Sequence, residues 1–593
     1  MVKYAKINFP LLGKSIEINE ESTISDACSI IDHSINLDCG GKGKCGKCSV
    51  VIKIDDILST VLACQTKVFN NIDIMITGEK AEDQILTENM FKQIHPDPAL
   101  STLHISRNEL ITPMCESDYE TLQRVLKLNF NEPSLDVLQS LSNAYHHPDG
   151  MNIIIYNKEI LANHPGDSDL PLLGLAYDIG STSVVGYLYD LNTFKQIGIG
   201  SLLNKQTRIG GDVISRIEYT MTNRDGLKML HDLVIETVNE IIDNICSEHC
   251  IDKNNIYQAS FCGNSTMQHL FLGLNPAHLG LAPFTSTTHG EVSTKASNLG
   301  ININPRARIN FLPLLGGFVG ADTTAVLLSL QHDHKNRLII DLGTNGEIAV
   351  GSNYSFKVSS CACGPALEGA GLEDGMRGTI GAIERVEITN GDLYYKVIGE
   401  VKPLGICGSA IIDIVSELFR CNLINKRGAF AHPSDVIEPG LAKRITTTDN
   451  GSAFIIAYEE DTQSGKPILM TQTDIRQVQL AKAAIYTGCL MLIDECGLKG
   501  EDLDEILIAG AFGNFIDIAK AQSIGMIPYF KNVPVISIGN AAATGCQMFL
   551  LSKEEQNACK IIAQNAEHVE IATNPTFTSK FMLNAYLTKL NLD

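Results

Sequence analysis

Tryptophan does not occur in this chain, and aromatic residues make up only 6% of it. That absence says nothing about function, but three others do. No run of eighteen consecutive apolar residues occurs, which argues against a membrane-spanning helix. The first residues, Met1-Val-Lys-Tyr-Ala-Lys-Ile7, lack both a long apolar core and a small-residue cleavage site, so no export signal is expected. Positive charge is also short: 46 Lys and Arg face 68 Asp and Glu, for a net charge of -22. A protein built to hold nucleic acid would carry the opposite balance. The expectation is a cytoplasmic protein with neither a membrane nor a nucleic acid as partner.

What is present is a long chain with several cores. At 593 residues and 44% hydrophobic content, three or four domains are expected. Seventeen cysteines without an export signal point to reduced thiols and metal ligation rather than disulfides. Four of them, Cys39, Cys45, Cys48 and Cys64, follow the spacing C-x5-C-x2-C-x15-C. Two short alternating runs, Ala5 to Phe9 and Lys14 to Ile18, precede them as a predicted hairpin, and Ser25 to Ile35 has helical spacing.

Four thiolates suit zinc or an iron–sulfur cluster. Zinc usually takes two short knuckles. Here three cysteines crowd one glycine-rich loop and Cys64 sits alone on a predicted strand, which favours a [2Fe-2S] cluster. Gly40, Gly41, Gly43 and Gly46 would let backbone N–H groups face the cluster sulfurs. Cys28, on the predicted helix, reads as a packed thiol. Lys42, Lys44 and Lys47 ring the loop and offer a surface for an acidic electron donor, or are simply solvated.

Residues 87 to about 170 read as a semi-structured linker domain, broken by Pro96, Pro98, Pro113 and Pro133, with a rigid small domain as the alternative. Short helices are expected over Glu120 to Leu128 and Leu135 to Ala144, and a strand over Met151 to Tyr156.

The stretch Arg337-Leu-Ile-Ile-Asp-Leu-Gly-Thr-Asn-Gly-Glu-Ile-Ala-Val350 reads as a β-hairpin with a polar, glycine-rich turn, and Leu173 to Tyr189 repeats the design. Glycines let backbone N–H groups approach phosphate oxygens, with Ser181, Thr182, Thr344 and Asn345 as further donors. Asp178 and Asp341 close the two apolar strands and are candidates to hold Mg through water. One such turn is weak; two imply related lobes.

Other glycine turns follow strands. Gly263-Asn-Ser-Thr266 opens a helix, and Gly510-Ala-Phe-Gly513 ends a strand with residues small enough for an adenine ring to lie against backbone. Asp322 is either catalytic or a helix cap, and Cys361 and Cys363 read as buried thiols.

Two phosphate hairpins and an Ala-Gly-Ala turn resemble the actin, sugar kinase and Hsp70 superfamily. With the N-terminal cysteine loop, which resembles plant-type and adrenodoxin-like ferredoxins apart from its gap lengths, the whole chain resembles the reductive activators of corrinoid enzymes. The resemblance implies an α/β multidomain fold: a β-grasp [2Fe-2S] ferredoxin domain over 1–86, a linker domain over 87–170, and duplicated ribonuclease-H-like lobes over 171–330 and 331–593. It implies ATP as a cofactor. Asp178, Gly180, Ser181 and Thr182 match the first phosphate loop, Asp341, Gly343, Thr344, Asn345 and Gly346 the second, and Gly510, Ala511 and Gly513 the adenosine turn.

The implied activity is ATP-dependent transfer of one electron from an external low-potential donor, through the cluster, to reduce Co(II) to Co(I) in the corrinoid protein of a methyltransferase system. A homodimer is implied as well. Two alternatives are an electron-transfer activator of an acyl-CoA dehydratase or reductase, against which the separate ferredoxin domain argues, and a nucleotide-binding redox sensor without turnover.

Overall fold

The computed structural model describes residues 4–10, 13–19, 22–31, 49–54, 57–68, 72–75, 94–111, 113, 115–127, 132–167, 170–330, 332–343, 345–361, 363–369, 371–449, 451–510, 513 and 515–588. Strands β1 (Tyr4–Phe9) and β2 (Lys14–Asn19) form the predicted hairpin, followed by α1 (Ile24–Ile30), β3 (Ser49–Ile54), β4 (Ile57–Leu62) and β5 (Ile72–Met75). The sheet order is β2-β1-β5-β3-β4, with β1 and β5 parallel, a β-grasp arrangement. Alternation along β1 puts Ala5, Ile7 and Phe9 on one face, where they share a core with Ile24, Ala27 and Cys28 of the helix. Burial pushes the Cys28 thiol up to about 12, so it is a packed side chain as expected.

The connecting region folds as a small sheet with two helices on one face, while Leu100, Ile154, Tyr156 and Leu161 on the other join the core of the first lobe. Strand β6 (Leu100–Ile105) is followed by α2 (Asp118–Leu126), α3 (Leu135–Tyr145), β7 (Met151–Tyr156) and β8 (Glu159–Pro165), with the strands in antiparallel order β6-β7-β8. Ser117 caps α2 by accepting from the Glu120 N–H. Leu122, Val137 and Leu141 from the helices share a core with Ile153 and Ile155 of β7. Such a core makes this region a packed unit rather than a loose tether.

Next come β9 (Leu173–Ile179), β10 (Ser183–Asp190), β11 (Lys195–Leu203), α4 (Val213–Thr222), α5 (Gly226–Glu248), β12 (Ile256–Gly263), α6 (Ser265–Leu272), β13 (Val292–Lys295), α7 (Ala296–Leu299), β14 (Arg308–Phe311) and α8 (Ala321–Ser329). The sheet runs β11-β10-β9-β12-β14-β13: an antiparallel meander, with β12 and β14 added parallel beside β9. Helix α5 lies on the meander through Ile241 and Ile245. It comes this close because Gly186, Gly198 and Gly200 carry no side chain, and a Cβ on Gly200 would stand 2.9 Å from Ile241 Cγ2. Each buried isoleucine contributes about 1.5–3 kcal/mol.

The same plan repeats in β15 (Arg337–Leu342), β16 (Gly346–Ser352) and β17 (Ser355–Cys361). A long insertion follows: β18 (Ala382–Thr389), β19 (Asp392–Val397), β20 (Gly405–Ile406), α9 (Gly408–Arg420), α10 (Pro439–Ala442), β21 (Ile445–Thr448), β22 (Gly451–Ala457) and β23 (Ile468–Thr471). Then come α11 (Gln472–Glu495), β24 (Glu505–Ala509), α12 (Ile518–Ser523), β25 (Val535–Gly539), α13 (Ala541–Leu551), α14 (Lys553–Asn565), β26 (Glu567–His568) and α15 (Phe577–Asn584). The sheet order is β25-β24-β15-β16-β17-β26, with β24 parallel to β15 and β25 parallel to β24.

The core does not follow chain order. Helix α13 is buried along its whole length and shares one apolar cluster with β9, β12 and α8 of the first lobe. A helix that is apolar all round must be enclosed on every side. Gly545 permits the contact, since a Cβ there would meet the Ala325 carbonyl oxygen at 1.9 Å.

Candidate functional site

The two hairpin turns face one another across a cavity of about 340 Å³ whose lining includes Asp178, Ser181, Asp322, Asp341, Asn345 and Gly510. Asp178 is the penultimate residue of β9. Beyond it, the Gly180 N–H donates to the Ser183 carbonyl at 2.9 Å, closing the turn. A Cβ on Gly180 would stand 2.7 Å from that carbonyl, which is why glycine occupies the position. Asn204 braces the turn by donating to the Gly180 carbonyl at 2.9 Å, and Asn264 donates to Ser181 Oγ at 3.0 Å.

The second turn is built alike. Asp341 lies opposite Glu347 across β15 and β16, and the Gly343 N–H donates to the Asn345 carbonyl at 3.0 Å. Gly346 begins β16 and is buried. Thr344 lies outside the described residues.

The third turn follows β24. Gly510 adopts φ +91 and donates its N–H to the Gly539 carbonyl at 3.1 Å, and Gly513 donates back to Gly510 at 3.1 Å. Ala511 lies outside the described residues.

Asparagines supply what the sequence reasoning did not single out. Asn264 caps α6 and Asn540 caps α13, each accepting from the N–H three residues on. Both stand directly after a strand-ending glycine, so a repeated strand-Gly-Asn-helix pattern was the available signal. Asp322, left open between two roles, lines the cavity from the first turn of α8, where it also accepts from the Thr323 N–H at 2.7 Å.

Residues 335–593 match the family described as the C-terminal domain of RACo, the ASKHA domain; residues 173–335 match the RACo middle region; and residues 10–69 match a 2Fe-2S iron–sulfur cluster binding domain. The chain is 46% identical over 583 residues to the corrinoid activation enzyme RamQ of Eubacterium limosum, covering 98% of each. It belongs to the family of corrinoid reductive activators. A second relative, the Co(II) methylated amine-specific corrinoid protein reductase of Methanosarcina barkeri, is 25% identical over 71% of this chain and 77% of its own length. A solved reductive activator for corrinoid,iron-sulfur protein superposes with a TM-score of 0.74 at 29% identity, covering 99% of both chains.

In this activator the cleft gathers buried carboxyls from both lobes. Burial pushes the Asp341 carboxyl up to about 8, and the neighbouring charges of Asp322 and Asp178 add to the effect. Burial raises Asp178 to about 6, against the opposing hydrogen bonds from Asn540 and Cys262, and it raises Asp322 as well. The charges of Asp178, Asp322 and Asp341, from two lobes, therefore repel one another in the cleft. Among the described residues, none form a ready-made metal cage of three or more side chains. The glycine turns and the helix starts of α6 and α13 add backbone N–H groups, so the residues fit a nucleotide.

At the other end of the activator, Cys64 lies in the turn after β4, two residues past its end, and not on the strand that the sequence predicts. The turn is tied to α1, since the Ser25 N–H donates to the Ala63 carbonyl at 3.0 Å. Gln65 Nε2 donates toward Cys64 Sγ at 3.6 Å, the kind of contact that tunes a cluster thiolate. Cys39, Cys45 and Cys48 lie outside the described residues. The match to a 2Fe-2S binding domain over 10–69 supports the cluster. Cys361 and Cys363 are buried, in line with the packed-thiol reading.

Proposed function

We propose that this chain is an ATP-driven one-electron reductase that returns the cobalt of a corrinoid protein, its substrate, from Co(II) to Co(I). The observation that carries the reading is the carboxylate-lined cleft between two matched glycine hairpins, in a chain whose 46% identical relative is a corrinoid activation enzyme. A [2Fe-2S] cluster, when bound, supplies a one-electron relay between an external low-potential donor and the cobalt. Cys39, Cys45, Cys48 and Cys64 would hold it, and the basic loop lysines Lys42, Lys44 and Lys47 would face the donor.

In the cleft, Asp178 and Asp341 would hold Mg through water, with Asp322 beside them. Gly180, Ser181 and Thr182 and the turn Gly343, Thr344, Asn345 and Gly346 would bind phosphates, while Gly510, Ala511 and Gly513 would lie under the adenosine. ATP is needed because plant-type clusters lie near roughly -400 mV, and each further 100 mV of uphill transfer costs about 2.3 kcal/mol. Ligand binding between the lobes alters their angle, and with it the contact made with the corrinoid protein.

The separate sheets support a division into a ferredoxin domain over 1–86, a linker domain over 87–170 and lobes over 171–330 and 331–593. The reading also includes a homodimer in the cytoplasm. The test is the Asp341→Ala variant, which retains the reduced-cluster EPR signal but loses ATP-dependent formation of Co(I). Full ATP-dependent reduction by that variant would refute the nucleotide part.

A further inference from the structure

Arg377 lines the same cavity from the second lobe, in the segment between β17 and β18, and it is half-buried. Its segment is pinned on both sides. The Met376 N–H donates to the Ile406 carbonyl at 2.8 Å, the Ile406 N–H donates to the Asp374 carbonyl at 2.8 Å, and Asp374 accepts from the Leu469 N–H at 2.7 Å. Among the described residues, the Arg377 guanidinium has no ion-pair or hydrogen-bond partner, although five carboxyls, Asp178, Asp322, Asp341, Glu347 and Glu384, line the same cavity. A fixed backbone thus presents an uncommitted guanidinium to the cleft.

Opposite it, on the first lobe, stands a second cation. Arg216 of α4 is wholly buried, and among the described residues no carboxylate lies within ion-pair reach of it. It donates instead to neutral acceptors: the Gly210 carbonyl at 3.0 Å, Gln206 Oε1 at 2.9 Å and the Ser181 carbonyl in the first phosphate turn. Burial lowers the Arg216 guanidinium to about 9, against the nearby carboxylate of Asp212, and the charge of Arg377 adds a smaller lowering. With Arg216 committed to the phosphate turn and outside the cavity lining, Arg377 is a cation in the cleft left free for an anionic ligand.

We propose that Arg377 binds the terminal phosphate of the nucleotide from the second lobe, so that the lobes close on a triphosphate and relax on a diphosphate, with Arg216 as the positioning residue that fixes Ser181. This rests on the nucleotide reading of the cleft and names the residue that distinguishes ATP from ADP.

Binding measured by calorimetry on the full chain tests it, using the non-hydrolysable imido analogue of ATP, then ADP and AMP, each with magnesium. Arg377→Met weakens the triphosphate roughly 10- to 100-fold, the loss expected for one charge-assisted hydrogen bond, and leaves ADP nearly unchanged. Arg377→Lys recovers part of the loss, because it keeps a charge but not the two-pronged geometry. Equal weakening of ATP analogue and ADP would overturn the proposal by moving the contact to the inner phosphates or the adenosine, and so would no weakening at all. Either result with normal wild-type binding leaves the nucleotide site standing, whereas a wild-type chain that binds none of the three removes both.

Discussion

Asp341 and Gly510 stand edge to edge: a Cβ on Gly510 would lie 2.7 Å from Asp341 Oδ1 and 2.7 Å from the Leu342 carbonyl oxygen. The third glycine turn is therefore packed against the carboxylate of the second, and its backbone at φ +91 admits only glycine comfortably. Gly510→Ala combines left-handed strain with a clash against fixed atoms. It lowers stability by about 1–3 kcal/mol and displaces Asp341. Thermal melting and nucleotide titration of the variant check both effects, and unchanged affinity would show that Asp341 does not contact the ligand's metal.

The raised carboxyls give the ligand-free protein a specific pH response. An acid whose pKa is raised on folding ionises more readily in the unfolded chain, so its contribution to stability falls as pH rises from the ordinary value through the folded one. For Asp341 that window runs from 3.8 to about 8, with a slope of about 1.4 kcal/mol per pH unit. Asp178 levels off near 6. Melting of the ligand-free protein between pH 6 and 8 should show a falling midpoint, and Asp341→Asn should flatten it. Magnesium nucleotide should bind more tightly across the same window, with release of protons.

Gly545→Ala separates two effects of opposite sign. In an open helix the change gains about 1 kcal/mol. Here the methyl would meet the Ala325 carbonyl oxygen at 1.9 Å, a backbone atom that cannot rotate away. Overpacking wins, and the chain loses roughly 1–3 kcal/mol or more, read as a lower melting midpoint. A stabilised variant would mean that α8 and α13 do not pack this closely.

Cys64→Ala should abolish the visible absorbance of a [2Fe-2S] centre while nucleotide affinity stays as in the wild type, because Cys64 packs against the core of the N-terminal sheet, which is separate from the cores of the lobes. Retention of the spectrum would remove Cys64 from the ligand set.

Much of this architecture was legible in the sequence because it is written locally. The hairpins at Asp178 and Asp341 are short apolar runs around glycine turns, and the strand at Met151 is a compact apolar run. What escaped was set by distance along the chain. Nothing near Asp322 in sequence reveals that α8 aims it at two other aspartates. The all-apolar α13 does not disclose which lobe encloses it. Arg377 sits in an irregular segment whose direction is fixed by bonds to Ile406 and Leu469, far from it in sequence. Cys64 was placed on a strand because apolar residues precede it, but β4 ends at Leu62.

The central claim is tested most directly by following cobalt itself. The purified protein is mixed without oxygen with a Co(II) corrinoid protein and a reductant, with and without ATP, and watched by absorbance and EPR. The account predicts a reducible [2Fe-2S] signal in both samples and Co(I) absorbance only where ATP is present. Co(I) forming equally without ATP, or a reduced cluster with cobalt unchanged in the presence of ATP, would contradict it.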